Sequence, residues 1–302
     1  MLQRRHFTTA TCTGLLGSLF GCASEAPVTA TNSVSPKALM ARSRCEAIEA
    51  STQGRLGVHI LDTGTGRSFG FRDDDRFMLL SSFKLLASAY VLHRVDRGEE
   101  ALNRRITFAK KDLVEWSPIT EKHVGSAGMT LGQLCEATMT TSDNTAGNLL
   151  LASFGGPQGL TSYARSLGDT ITRLDRNEPT LNHPSGDVLM DTTTPRAMAR
   201  NLQKMLAGDA LSPSSRELLR QWMMASVTGD KRLKAGVPAD WKVGGKTGTS
   251  RNAANEVGVL LPPNGAAPVI VAAYVSESHA DNATKEAAIA AVATLAKDLV
   301  TT

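Results

Sequence analysis

Strand-like stretches stand near both ends of this chain with helical spacing between them, and that order limits the folds open to it. Near the start, "RLGVHILDT" and "RSFGFRD" alternate or run apolar on either side of a Gly-Thr-Gly turn, which predicts a β-hairpin. Near the end, "WKVGGKTGT", "EVGVLLP" and "PVIVAAYVSES" read as three further strands, closed by an Ala-rich helix from about Lys285 to Val300. Helical apolar spacing covers Lys37 to Thr52 and the segments around 81–95, 130–152, 157–167 and 195–225. Residues 170–194, with their Pro, Asn, Asp and Gly, read as a long loop. Strands at both ends predict one sheet built from both termini, so the expected class is mixed α/β (α+β) with an inserted all-helical domain. The boundaries this implies are a catalytic body over 37–302, with a sheet domain at about 37–74 and 222–302 and a helical domain at about 75–221. At 302 residues and 41% hydrophobic, the chain can bury a core of that size.

The first residues are different in kind. "MLQRRHF" leads into "TTATCTGLLGSLFGCAS", a mildly apolar run too short and too rich in Thr and Gly to cross a bilayer, so 1–23 reads as an export signal. Arg4 and Arg5 followed by Phe7 resemble a twin-arginine signal; a general secretory signal is the alternative. The expected destination is the periplasm. "LFGC", ending at Cys22, has the form of a lipoprotein cleavage site and would anchor the protein to a membrane, whereas a cut between Ala23 and Ser24 would leave it unlipidated. Residues 24–36, "SEAPVTATNSVSP", are small, polar and Pro-bearing, as suits a flexible leader.

Composition excludes several functions. The net charge of +4 is spread without long Lys/Arg blocks and only 5% of residues are aromatic, which leaves no footprint for nucleic acid. Removal of the leader removes Cys12, and Cys45 and Cys135 in the body are too few for a disulfide framework. No C-x-x-C or H-E-x-x-H occurs, so neither a metal nor a cofactor is expected. A monomer without a stable protein partner is the default expectation.

Three short motifs carry chemistry. In "SSFKLLASAYVLHRV", residues 81–95, Lys84 lies in an apolar helical run that leaves it little room to reach water, and a dry ammonium is expensive unless its charge is matched or its pKa falls. The plain alternative is that Ser81 or Ser82 caps the helix and Lys84 snorkels out. "TTSDNTAGNLLL" sets Ser142, Asp143 and Asn144 just before an apolar helix, where they either cap it or aim a hydroxyl and an amide into a cleft. "GGKTGTS" puts Lys246 on a strand beside glycines that permit close backbone approach by an extended ligand. The three together, in this order, are far less expected by chance than any one.

S81-S-F-K84, S142-D-N144 and K246-T-G248 together resemble the signature of serine β-lactamases and penicillin-binding proteins. "RNEPTLN", residues 176–182, narrows the resemblance to class A β-lactamases, because Glu178-Pro179 with Asn182 matches the omega loop that holds that class's hydrolytic water. "LVEWSPITEKHV", "LCEATMTTSDNTAGNLLL", "DTTTP" and "VPADWKVGGKTGT" extend the likeness over residues 37–300. The resemblance implies a two-domain fold with an antiparallel sheet and an active site in the cleft between the domains. It departs from the pattern at Ser88, where members often carry a cysteine that pairs with the one aligned to Cys135, so Cys135 is expected reduced and buried. Leu80 and Ser250 replace a disulfide of certain carbapenem-hydrolysing members, and Gly245 stands where Asp is common, which suggests a looser strand.

The roles the resemblance implies are these. Ser81, at a helix N-terminus, attacks the lactam carbonyl, and Lys84 one turn on holds it or takes its proton; Glu178 acting through water is the other candidate for that proton. Backbone N–H groups of Ser81 and Thr249 form the oxyanion hole. Ser142 relays a proton to the lactam nitrogen, Asn144 holds Lys84 and the substrate's acyl side-chain amide, and Glu178 with Asn182 directs the deacylating water. Lys246, Thr247, Gly248, Thr249 and Arg232 receive the ligand's carboxylate, Trp116 walls the entrance, and Arg176 with Asp191 pins the omega loop. The substrate is then a small β-lactam. The rivals are a DD-peptidase, which lacks the Glu in an omega loop, and a β-lactam sensor that stays acylated.

Overall fold

The computed structural model describes residues 35–301 apart from 126, 184 and 185, so the export signal, with Arg4, Arg5 and Cys22, lies outside the described residues. Ser35 opens the first helix, α1 (Pro36–Thr52): its hydroxyl accepts from Ala38 N, and Pro36 suits the first helical position. The hairpin follows as β1 (Arg55–Asp62) and β2 (Ser68–Phe71), then β3 (Phe77–Met78) and α2 (Phe83–Asp96). Next come β4 (Arg105–Ile106), β5 (Met129–Thr130), α3 (Leu131–Thr140), α4 (Asn144–Ser153) and α5 (Gly156–Ser166). The chain continues through β6 (Thr192–Thr193), α6 (Pro195–Leu206) and α7 (Pro213–Met224). It closes with β7 (Lys242–Ser250), β8 (Ala253–Leu261), β9 (Val269–Ser276) and α8 (Asn282–Thr301).

The five long strands form one sheet in the order β2-β1-β9-β8-β7, with every neighbouring pair antiparallel. Strands from the two ends of the chain therefore meet at β1 and β9, where Arg55–Asp62 runs in register against Ser276–Val269. β9 is apolar without alternation because both of its faces are buried. Val269, Val271, Ala273 and Val275 pack with Ala41 and Cys45 of α1 and Ile289, Val292 and Ala296 of α8. Ile270, Ala272 and Tyr274 belong to the core on the opposite face, with Met198 and Leu202 of α6 and the apolar faces of α2, α3 and α4. Each fully buried Val, Leu or Ile contributes about 1.5–3 kcal/mol, so these two cores hold the sheet between helical layers.

Two of the helical segments expected from spacing are each divided in two. The run around 130–152 breaks at Ser142, which takes a left-handed φ of 62°, and restarts where the Asp143 carboxylate caps α4 by accepting from Ala146 N at 2.8 Å. The same carboxylate accepts from Ile119 N, Thr120 N and Thr120 Oγ1, so Asp143 ties two loops rather than facing a ligand. The run around 195–225 stops at Ala207 and resumes at Pro213, capped by Ser212. Cys45 and Cys135 are free and buried, and burial raises both thiols, Cys45 to about 12.

Candidate active site

Leu80, at φ 47°, begins a 3-10 turn over Leu80–Ser82 that runs straight into α2, so Ser81 precedes Lys84 by one turn on one face. Neither serine caps the helix: Ser82 Oγ donates to Leu79 O at 2.6 Å, and Ser81 Oγ lies 3.2 Å from Glu178 Oε1. Lys84 does not snorkel and is fully buried. Space for it comes from Gly147 on α4, where a Cβ would stand 3.0 Å from Lys84 Cε.

The Lys84 ammonium is surrounded by acceptors. Nζ lies 2.9 Å from Ser81 Oγ, 2.9 Å from Ser142 O, 3.3 Å from Ser142 Oγ and 2.5 Å from Asn144 Oδ1. Glu178 Oε1 completes the set at 3.1 Å. Burial lowers the pKa of Lys84, and the Glu178 carboxylate pulls the other way. Across the cleft, Lys246 Nζ donates to Ser142 Oγ at 3.0 Å and to Thr247 O at 2.7 Å. Burial, reinforced by the positive charges of Lys84 and Arg232, holds Lys246 well below the usual lysine range. Ser142 Oγ thus sits between two lysines, aimed there by its left-handed backbone.

Glu178 is positioned from both sides. Asn182 Nδ2 donates to its Oε2 at 2.5 Å, and Arg176 Nε reaches the buried Asp191 carboxylate at 2.6 Å, pinning the loop that carries it. Sequence reasoning missed Asn148 on α4, whose Oδ1 accepts from Glu178 N at 2.9 Å and whose Nδ2 donates to Glu178 O at 2.9 Å. Its signal was there: one amide inside the apolar run N-L-L-L.

β7 brings the remaining group. Gly248 is side-chain-free because a Cβ there would lie 2.7 Å from Leu80 Cβ and 2.5 Å from Asn255 Oδ1, so the strand closes on the turn that bears Ser81. Asn255, also missed, donates to Met78 O at 3.2 Å and Leu79 O at 3.0 Å and so fixes that turn to β8. Arg232 is buried: its guanidinium donates to Gly248 O at 3.0 Å, Asn255 O at 2.8 Å and Thr249 Oγ1 at 2.7 Å, with Glu286 at 3.6 Å. Thr247 Oγ1 pairs with Thr228 Oγ1 at 2.6 Å, another residue the sequence did not single out. Trp116 is 65% exposed, so it is no core residue; its indole N–H is tied to Thr141 O at 2.9 Å beside Ser142. Gly245 has a role other than loosening the strand: the Glu256 carboxyl fills the place a side chain would take, 2.5 Å from the position of a Cβ.

Side-chain contacts thus link Ser81, Lys84, Ser142, Asn144, Glu178, Asn182 and Lys246 into one network where β7, the start of α2, the 141–144 turn and the omega loop meet, with Arg232 on Thr249 and Trp116 on Thr141 beside it. The sequence matches the β-lactamase enzyme family over residues 40–300. It is 41% identical over 256 residues to a β-lactamase of Streptomyces albus G, covering 83% of this chain and 81% of that protein. It is 38% identical over 303 residues to β-lactamase L2 of Stenotrophomonas maltophilia, covering 99% of this chain and 100% of that one. Among solved structures, the class A β-lactamase of the last common ancestor of Gram-negative bacteria is 53% identical with a TM-score of 0.83, covering 86% of this chain and 98% of that chain. A serine nucleophile, its buried lysine and a carboxylate on a pinned loop, in a fold shared with these relatives over most of its length, make this chain a member of the class A β-lactamase family.

Proposed function

We propose that this chain hydrolyses the β-lactam amide through an acyl-enzyme on Ser81, with Glu178 driving its release. The observation that carries this reading is the placement of Glu178 Oε1, 3.2 Å from Ser81 Oγ and 3.1 Å from Lys84 Nζ. A carboxylate in contact with the nucleophile can activate a water against the ester that the nucleophile forms. In the first step the Ser81 proton passes to the Lys84–Glu178 pair, both members of which reach Oγ. The backbone N–H groups of Ser81 and Thr249 stabilise the oxyanion, a contribution of about 3 kcal/mol per donor. Lys246 donates to Ser142 Oγ, which leaves the Ser142 proton free for the lactam nitrogen, and Ser142 regains one from Lys84, 3.3 Å from its Oγ, which passes on the proton taken from Ser81. Asn144 holds Lys84 through its Oδ1 and faces the acyl side chain. Asn182, bonded to Glu178 Oε2, orients the attacking water. Lys246, Thr247, Thr249 and Arg232 receive the substrate carboxylate, and Trp116 walls the entrance.

Sustained turnover of a chromogenic cephalosporin by the purified protein tests this reading. Many turnovers per enzyme are expected. A single burst that stops would instead mark a DD-peptidase or a sensor.

The protein is further proposed to act as a monomer in the periplasm, exported by the twin-arginine route, with lipidation at Cys22 as the anchored form. Arg4 and Arg5 before Phe7 and the short apolar run support this. The double variant Arg4→Lys, Arg5→Lys should stay in the cytoplasm, whereas normal periplasmic activity in a strain lacking the twin-arginine translocase would rule the route out.

A further inference from the structure

Beneath the hydroxyl-lined end of the cleft lies a buried carboxyl group that the hydrolytic steps do not use. Glu256 on β8 stands opposite Thr247 on β7 in antiparallel register, so its side chain shares one face of the sheet with Gly245, Thr247 and Thr249. It occupies a slot made by two glycines: a Cβ would lie 2.5 Å from Glu256 Oε1 at Gly245 and 2.6 Å from it at Gly229. Oε2 accepts from Leu233 N at 2.9 Å. This slot explains both glycines and holds the carboxyl on the strand next to β7, in direct register with Thr247.

The charges around Glu256 come from each element packed on it. β7 contributes Lys246, and the segment leading into the 3-10 turn over Leu233–Gly236 contributes Arg232 and Asp230. α8 contributes Glu286, 3.6 Å from Arg232, and Lys285, bonded to Arg251 O at 2.6 Å. β9 offers only Ala273 in register. Burial pushes the Glu256 carboxyl up to about 7, against the opposing pull of the Leu233 N–H, Arg232 and Lys246. It therefore changes charge within the range in which such an enzyme works.

We infer that Glu256 is a positioning residue for carboxylate recognition, and that anionic β-lactams bind more weakly once it gives up its proton. Protonated, it leaves the field of Lys246 and Arg232 to the ligand; ionised, it offsets part of that field through space, from beside Leu233 N and across the strand pair from Thr247. The inference rests on the reading of Lys246, Thr247, Thr249 and Arg232 as the carboxylate-binding end. The sign follows from the charge: Glu256 is neutral below about pH 7 and anionic above it, so affinity falls as pH rises. Loss of the Lys246 proton at higher pH weakens binding in the same direction, but it persists when Glu256 is replaced.

The test compares kcat/KM for benzylpenicillin and for its neutral methyl ester across this range, since kcat/KM reports titrations of the free enzyme. In the wild type a fall on the order of tenfold, carried by KM, is expected for the acid as pH rises through the titration of Glu256, the size one neighbouring charge produces in a partly dry site. The ester should lack that step, and Glu256→Gln should lose it for the acid. Parallel profiles for acid and ester in the wild type, or a Gln variant that keeps the step, would overturn the inference while leaving the hydrolytic reading intact. Should Glu256→Gln fail to fold, Glu256→Ala, which vacates the slot rather than filling it, should likewise lose the step for the acid, and a step that it keeps belongs to Lys246 and would overturn the inference. No turnover of either compound at any pH would instead overturn the hydrolytic reading and the inference with it.

Discussion

An ammonium group with no access to water survives only where acceptors replace its hydration, and Lys84 has five oxygens from four residues around it. That arrangement makes each neighbour's identity consequential. A longer side chain at Gly147 would press on the lysine stem, and Ser142 must accept a left-handed backbone to present both its carbonyl and its hydroxyl. Such demands were partly legible in the sequence. A lysine in an apolar helix announces that something must compensate it, and the serines and amides of the neighbouring motifs were the available partners. Glu256 was not legible: on a strand it reads like any polar residue, and its burial depends on two glycines, 229 and 245, that only the fold brings to it.

Among its described residues the omega loop has almost no regular hydrogen-bond ladder of its own, so its shape depends on side chains, its own and those of neighbouring elements. Arg176 and Asp191 close its base, and Asn148 on α4 holds the backbone of Glu178 from both its N–H and its carbonyl. α4 thereby fixes the height of the carboxylate over Ser81. In Asn148→Ala the two bonds are lost, which should lower stability by about 1–3 kcal/mol. It should also slow deacylation about tenfold or more, since small misplacement of a catalytic group is costly. Acylation should suffer less. Thermal melting together with stopped-flow kinetics of a penicillin would show it; a variant with wild-type kcat and no accumulated acyl-enzyme would mean that the loop is held in place without Asn148. The division of α3 from α4 at the 141–143 turn escaped a reading based on apolar spacing, because the spacing continues across it while Asp143 and the backbone of Ser142 interrupt the helix.

At the scale of the whole molecule, the sheet joins the two ends of the chain, and the helices between them return the S-x-x-K, S-D-N and omega-loop motifs to the edge strand β7. The order of strands and helices was legible because β9 and its neighbours are apolar on both faces, as a strand between two helical layers must be. The cleft was legible only through the motifs, since periodicity says which face is buried but not which buried polar groups meet. Their meeting gives the central claim: one carboxylate, Glu178, separates an enzyme that releases its acyl group from one that keeps it. Attack on the lactam draws on ring strain and Lys84, whereas the resulting ester is unstrained and needs a general base to direct water at it. Rapid-mixing kinetics of Glu178→Gln with a penicillin, with direct detection of the acyl-enzyme by mass spectrometry, tests this most directly. The expected result is a stoichiometric burst followed by turnover lower by a factor on the order of 10³ or more, with the adduct on Ser81. Normal turnover without an accumulated adduct would contradict the account at the residue on which it depends.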